Sequence, residues 1–340
     1  MENTSRLRPR KRSGILRDLF TKKPLGGAGL VIIILFVLVA VFADQLAPTP
    51  LINGKFKTDV IHALQAPFES SDHVLGTDAL GRDVLSYCIY GARTSVILCL
   101  SCGILSMAIS VIIGTLSAVI GGWFDLIVQR LVDAWQSIPG MLIMLILVAL
   151  LGNGLPQLIL ALSVPSGING SRMIRSAAIA IRENGFVESA ELLGARTLWI
   201  AFKHVVPNVM PLIIVGFAGS LGGTIMMESS LSFLGFGVGG SAASWGYLLT
   251  DQGRSNMFLA PWLSLIPGGL IALMVFAANM LGDALRDLLD PRLRGGVGSY
   301  SKKRLARIRE KYIKKTEYNG RQYVYRTDKA DMYPPTDKRR

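Results

Sequence analysis

Few residues of this chain are typed and spaced for chemistry, and most of them fail on context. Cys99 and Cys102 form a C-x-x-C pair, a spacing that serves soft metals or thiol redox exchange. The pair lies inside an apolar run, with no second ligand pair and no βαβ pattern around it, so packing through small side chains is the better reading. Cys88 is the third cysteine, and together they set up no disulfide framework. His62, His73 and His204 are scattered and lack metal-ligand spacing. Gly235-Phe-Gly-Val-Gly-Gly240 fits G-x-G-x-x-G, but it ends an apolar stretch instead of joining a strand to a helix, which removes the dinucleotide context. No G-x-x-x-x-G-K-[ST] occurs, so there is no Walker-type ATP site.

What remains is the chemistry of recognition. Glu188-Ser-Ala-Glu-Leu-Leu-Gly194, continuing through Ala195 to Val206 and Pro207-Asn208, is polar and amphipathic between two long apolar runs. It reads as two short helices meeting at Gly194, where the turn calls for positive φ. Ala190 and Ala195 leave room for a partner, while Leu192, Leu193, Leu198 and Phe202 supply apolar surface. An amphipathic helix laid into a groove is a standard docking mode. The same pattern describes a DNA-binding helix-turn-helix, but Glu188 and Glu191 would repel phosphates and both helices join closely to apolar spans.

The elements around this segment are membrane spans. The chain is 51% hydrophobic with a mean hydropathy of +0.44, too apolar for an ordinary soluble domain. Runs near 25–43, 94–120, 126–151, 156–180, 206–234 and 261–282 approach the ~20 residues that a spanning helix needs, giving an all-α polytopic protein of six transmembrane helices. The formal charge is +13; residues 1–24 carry +6, residues 295–340 carry +9, and everything between carries −2. Basic flanks stay cytoplasmic, so both termini are placed inside, in keeping with an even span count. Lipid headgroups account for such juxtamembrane charge better than nucleic acid does. The run from Leu25 outlasts a signal h-region of ~7–15 residues and reads as an uncleaved anchor.

Domain organisation follows. A basic tail (1–24) precedes the first span and a long extracytoplasmic segment (25–93). A five-helix core (94–294) contains the cytoplasmic loop 182–207. A basic tail (295–340) closes the chain. In the extracytoplasmic segment Gly76 and Gly81 suit turns and Asp83 can cap the helix that follows. It is either a brace on the outer face or a site for an external partner. Arg130 and Asp133 can pair on one helix face, and Pro139-Gly140 should kink that helix. Pro165-Ser-Gly-Ile-Asn-Gly-Ser171 reads as irregular, polar backbone, which survives at membrane depth only beside water or inside protein. It either lines a passage or packs tightly. Asn169, Ser171 and Glu228 are the candidates for lining the path, although Glu228 could equally pair with a structural cation. Asp283 and Asp287 oppose the helix dipole and call for Arg286 or another chain. Asp290-Pro291 reads as a helix stop.

These marks together carry a resemblance. Glu188-Ser-Ala-x3-Gly194-x9-His-Val-Val-Pro207 resembles the EAA loop of ABC importer permeases, E-A-A-x3-G-x9-I-x-L-P, with Ser189, His204 and Val206 as departures. Leu75-Gly-Thr-Asp-x2-Gly-Arg-Asp83, Tyr90-Gly-Ala-Arg93, Leu231-Ser-Phe-Leu-Gly235, Ser244-Trp-Gly246, Ala260-Pro-Trp262 and Asp287-x2-Asp-Pro-Arg-Leu-Arg294 resemble the C-type permease of dipeptide, oligopeptide and related nickel importers, from about residue 20 to 294. Gly167 stands where the family often has Trp. The resemblance implies a type I ABC importer permease fold. It also implies a homologous B-type permease partner, two ATPase subunits that hold ATP-Mg, and an extracytoplasmic peptide-binding protein. No cofactor falls to this chain. Glu188, Ala190, Gly194, Ala195, Leu198 and Pro207 become the ATPase-docking positions. A stand-alone secondary transporter is the rival, and it would call for central ion-coupling charges.

Overall fold

The computed structural model describes residues 15–51, 55–238 and 242–289. Expectations for residues 1–14, for the end of the glycine-rich run at 239–240, for the stop at Asp290-Pro291 and for the tail 295–340 lie outside these residues.

The described chain is helical, with one isolated bridge, Thr77 to Asp83, and no strand. A short helix α1 (Ile15–Lys22) leads into α2 (Pro24–Val41) and α3 (Ala43–Leu46). A folded segment then runs to α4 (Val84–Ile120), followed by α5 (Gly122–Gln136), α6 (Gly140–Leu151) and α7 (Leu155–Arg182). The loop element comprises α8 (Gly185–Leu192) and α9 (Thr197–Ile200), which passes through a π-turn (Ala201–Val205) into α10 (Val206–Phe233). Two short helices, α11 (Trp245–Tyr247) and α12 (Gly253–Ser255), precede α13 (Trp262–Leu289).

Among the described residues four helical stretches are long and apolar enough to cross a membrane: Pro24–Val41, Val84–Ile120, Thr197–Phe233 and Trp262–Leu289. The pair α5 and α6 would make a fifth, but it bends by 87°, far more than the kink expected at Pro139-Gly140. The helix α7 has the length, 28 residues, but Pro165, Ser166, Gly167, Asn169 and Ser171 dilute its apolar character. Six equivalent spans is therefore too regular a description.

One boundary and one local conformation also differ from the sequence expectation. The helix α4 begins ten residues before 94, because Asp83 caps it by accepting a 2.7 Å bond from the Ser86 amide. The helix α7 runs regularly through Pro165 to Ser171, so that backbone is not irregular. Proline removes one intrahelical bond there, and tight packing on α4 holds the helix. A Cβ on Gly167 would stand 2.7 Å from the Ile109 Cβ and 2.9 Å from the Ser106 carbonyl. Ser110 Oγ donates to the Gly167 carbonyl at 2.8 Å. Small residues let helix backbones approach in this way, and an indole at 167 would need α4 to move off.

At the other side of the bundle α2 packs on α13, where a Cβ on Gly29 would meet the Ala277 carbonyl at 2.6 Å. Leu19 of α1 is buried with Leu281, Ala284 and Leu288. Lys23 pairs with Asp287, a partner within the chain other than Arg286.

Candidate functional site

The Glu188–Pro207 element is built by local rules. The helix α8 ends in a Schellman motif: the Ala195 amide donates to the Ala190 carbonyl at 3.0 Å and the Gly194 amide to Glu191 at 2.9 Å. Gly194 has φ +83°, the left-handed conformation that this cap requires. Nothing lies within 4 Å of where its Cβ would be, so glycine is needed for backbone freedom and not for space. The motif thereby explains Gly194, while the bonds from residues 190 and 195 are backbone bonds.

Pro207 has an equally local reason. In a regular helix its ring would strike the Lys203 carbonyl. The π-turn avoids this: the Val206 amide reaches back to Ala201, and the Asn208 side-chain amide donates to the His204 carbonyl at 2.7 Å. The chain thus continues from α9 into α10 without a break.

One side of the element is anchored and the other is free. Val187, Ile200, Ala201 and Val205 are buried in one cluster with Ala118 and Val119 of α4, Ile174 and Ala178 of α7, and Val209 of α10. Leu192 and Leu193 are 84% and 88% exposed, and Leu198, Trp199 and Phe202 at least half so. A groove of about 620 Å³ runs between the helices, with Ala190, Gly194 and Ala195 in its lining and Phe186, Trp199, His204 and Arg196 around it. His204 lies edge-on to Trp199, ring centroids 4.8 Å apart. Glu188 is exposed in the first turn of α8, where a carboxylate complements the helix dipole. Exposed apolar surface of this kind suits contact with another chain or with lipid. Sequence reasoning missed the aromatic walls, Phe186 and Trp199; the signal was two aromatics flanking a floor of small residues.

The three candidates for a path do not come together. Ser171 is fully buried and donates to the Ile168 carbonyl at 2.6 Å, so its side chain belongs to the packing of α7. Glu228 is 2% exposed. Its partners are hydroxyls, Ser244 at 2.6 Å, Ser232 at 2.7 Å and Ser229 at 3.4 Å, and not the cation that the sequence left open. Asn169 alone is exposed, in a groove with Trp135, Gln136, Ile138, Pro139, Gly140 and Ile143.

The motif residues at the opposite end are also internal fittings. Asp78 accepts from the Leu80 and Arg82 amides at 2.9 Å and from Arg82 Nε at 2.6 Å. The Arg82 guanidinium sits 4.9 Å from the Tyr87 ring and 5.9 Å from Phe56, a cation–π arrangement. Asp44 is bound by Arg93 at 2.8 Å, and that guanidinium holds its carboxyl below the usual carboxylate range. Trp245 donates to the Cys88 carbonyl at 2.9 Å with its indole against Gly91, whose Cβ would stand 2.6 Å away. This clasps residues 242–260 to α4. Cys88, Cys99 and Cys102 are buried free thiols. Among the described residues no three His, Cys, Asp or Glu side chains gather as a metal site.

Comparison with known proteins accounts for this architecture. Residues 110–295 match the family model for the binding-protein-dependent transport system inner membrane component, and residues 16–67 match the N-terminal TM domain of oligopeptide transport permease C. The oligopeptide transport system permease protein OppC of Bacillus subtilis is 35% identical over 81% of this chain and 88% of its own length. The dipeptide transport system permease protein DppC of Alkalihalophilus pseudofirmus is 35% identical over 80% and 88%. The glutathione transport system permease protein GsiD of Shigella dysenteriae is 33% identical over 81% and 89%. The chain belongs to the family of binding-protein-dependent transport system inner membrane components, as a multi-pass membrane permease.

Proposed function

We propose that this chain is one permease subunit of an ATP-driven importer that carries dipeptides or oligopeptides across the cytoplasmic membrane. The observation that carries the reading is the pairing of an exposed apolar groove at residues 186–204 with a buried cluster that ties it to α4, α7 and α10. A partner that grips the groove moves three membrane helices at once. The relatives' names, oligopeptide, dipeptide and glutathione permeases, supply the substrate class.

In this reading a homologous B-type permease completes the channel. Two ATPase subunits serve the permease pair and hold ATP-Mg, which this chain does not bind; this chain's docking positions for them are Glu188, Ala190, Gly194, Ala195, Leu198 and Pro207. Docking biases an inward- and an outward-open state. The loop end is cytoplasmic, as are both termini, and an extracytoplasmic binding protein delivers peptide to the end built from residues 43–83 and 242–260. Against the stand-alone transporter, Glu228 and the Asp125–Arg175 pair are engaged within the chain, so a coupling ion would have only the exposed Arg130–Asp133–Arg172 group to use.

The test is a gentle detergent pull-down from native membranes with ATPase activity and stoichiometry read together. The expected result is one second permease and two ATPase subunits, lost when Glu188 and Gly194 are both changed. Peptide uptake by liposomes holding this chain alone would overturn the reading.

A further inference from the structure

Two ion-pair groups join α5 to α7, and they differ in kind. Arg175 grips Asp125 through two nitrogens, at 2.6 and 2.5 Å, and Ser117 also donates to that carboxylate. This pair is shielded, with side-chain exposures of 29% and 19%, and balanced in charge; it is structural. The second group is open and unbalanced. Arg130 contacts Asp133 at 3.3 Å and Arg172 contacts the other oxygen of the same carboxylate. Two guanidiniums share one acid, and the three side chains are 75%, 47% and 40% exposed for Arg130, Arg172 and Asp133.

Position makes the open group informative. Asn169 lies fourteen residues from Leu155 and thirteen from Arg182, about 20 Å from either helix end at about 1.5 Å per residue. That is the middle of α7, the helix that the sequence reads as the fourth span, and Arg172 is one turn further on. An exposed guanidinium within a span is costly toward lipid and faces protein or a water-filled cavity. The register agrees: Asp133 pairs with Arg172, and three residues along each helix Gln136 and Asn169 line one groove. That groove is about 420 Å³, within the size range of ligand pockets. Gln136 and Asn169 offer amides, while Ile138, Pro139 and Ile143 offer apolar surface. The Trp135 indole N–H is buried without an acceptor in the chain.

We propose that this groove is a substrate subsite on the path, in which Asn169 and Gln136 bond a passing peptide's backbone and Arg172, with Arg130, attracts its terminal carboxylate. A guanidinium suits that role because its planar fork matches a carboxylate. This rests on the peptide-import reading.

The test uses the assembled importer in liposomes with Asn169→Cys. Cys88, Cys99 and Cys102 are at most 5% exposed and leave a low labelling background. The wild type should label at that background only. Relative to each reagent's rate with a free small thiol, the variant should label faster with anionic methanethiosulfonate ethylsulfonate than with its trimethylammonium counterpart, about tenfold for one nearby charge-assisted contact. Arg172→Gln should erase the preference and Arg172→Lys should keep it. Trialanine should slow labelling during ATP turnover, and trialanine amide should not. Continued ATP-driven uptake of trialanine with no labelling, no charge preference or no protection would overturn the subsite alone. No uptake by the wild-type assembly would overturn it together with the peptide-import reading.

Discussion

Ser244 donates a 2.6 Å hydrogen bond to the carboxylate of Glu228, and both residues are buried. The bond joins the last third of α10 to the segment 242–260, across sixteen positions of sequence. Ser244 also accepts from the Tyr247 amide at 3.4 Å, capping α11, and Gly246 lies so close to α10 that a Cβ would stand 2.9 Å from the Ser229 Cα. A buried acid in a span invites a transport role, yet here its three hydroxyl partners make it a clasp.

Glu228→Ala is therefore expected to leave two buried hydroxyls without their acceptor, at about 1–3 kcal/mol each. Glu228→Gln keeps an acceptor oxygen and should cost less. Thermal unfolding of the purified complex in detergent checks this, and an Ala variant as stable as wild type would show that the clasp carries no stability.

Gly194→Ala is expected to destabilise the end of α8 by about 1–2 kcal/mol, since the left-handed conformation penalises a Cβ. Gly194→Val should be worse and Gly194→Asn milder. Hydrogen exchange across residues 185–200 reports the fraying, and ATP-driven uptake should fall in parallel. Val at 194 with wild-type exchange would mean that the φ of +83° is not needed.

The loop element was legible in the sequence because its rules are local: a small-residue floor, a glycine that ends the first helix just past Leu193, and a proline that forbids a plain helix. Asp83 was legible as a cap for the same reason. The length of α4 was not, because the polar Tyr87, Tyr90 and Arg93 separate the short helix capped by Asp83 from the apolar run at 94 until Phe56 and Asp44 from distant positions are seen to engage them. The regular course of α7 through Pro165 was hidden likewise, since it depends on small residues of α4 more than fifty positions away. Lys23 and Asp287 find each other only through tertiary contact, and no spacing rule connects them.

The Arg175–Asp125 pair is expected to be the stronger of the two links between α5 and α7. Asp125→Asn should cost about 1.5–3 kcal/mol as a charge-assisted, bidentate contact is lost, with little further loss on adding Arg175→Gln. Asp133→Asn, whose partners are far more exposed, should cost under about 1 kcal/mol. A double-mutant cycle on detergent stability separates them; additive effects at 125 and 175 would show that the pair is not coupled.

Pro207 sets how the loop element is turned relative to α10. A π-turn carries one residue more than an α-helical turn, and one residue corresponds to about 100° of rotation at 3.6 residues per turn. With proline present, a plain helix would lose the bond to Lys203 and suffer a clash of about 3 kcal/mol, so the π-turn is the favoured form. Pro207→Ala removes that obstacle. The turn can then relax to α-helix, which gains a hydrogen bond while swinging the 186–204 groove away from its position on the bundle. The variant should be as stable as wild type or more so, yet lose most ATP-driven uptake and most ATPase capture. Coupled uptake at the wild-type rate would show that the orientation set by Pro207 is not what the docking partner reads.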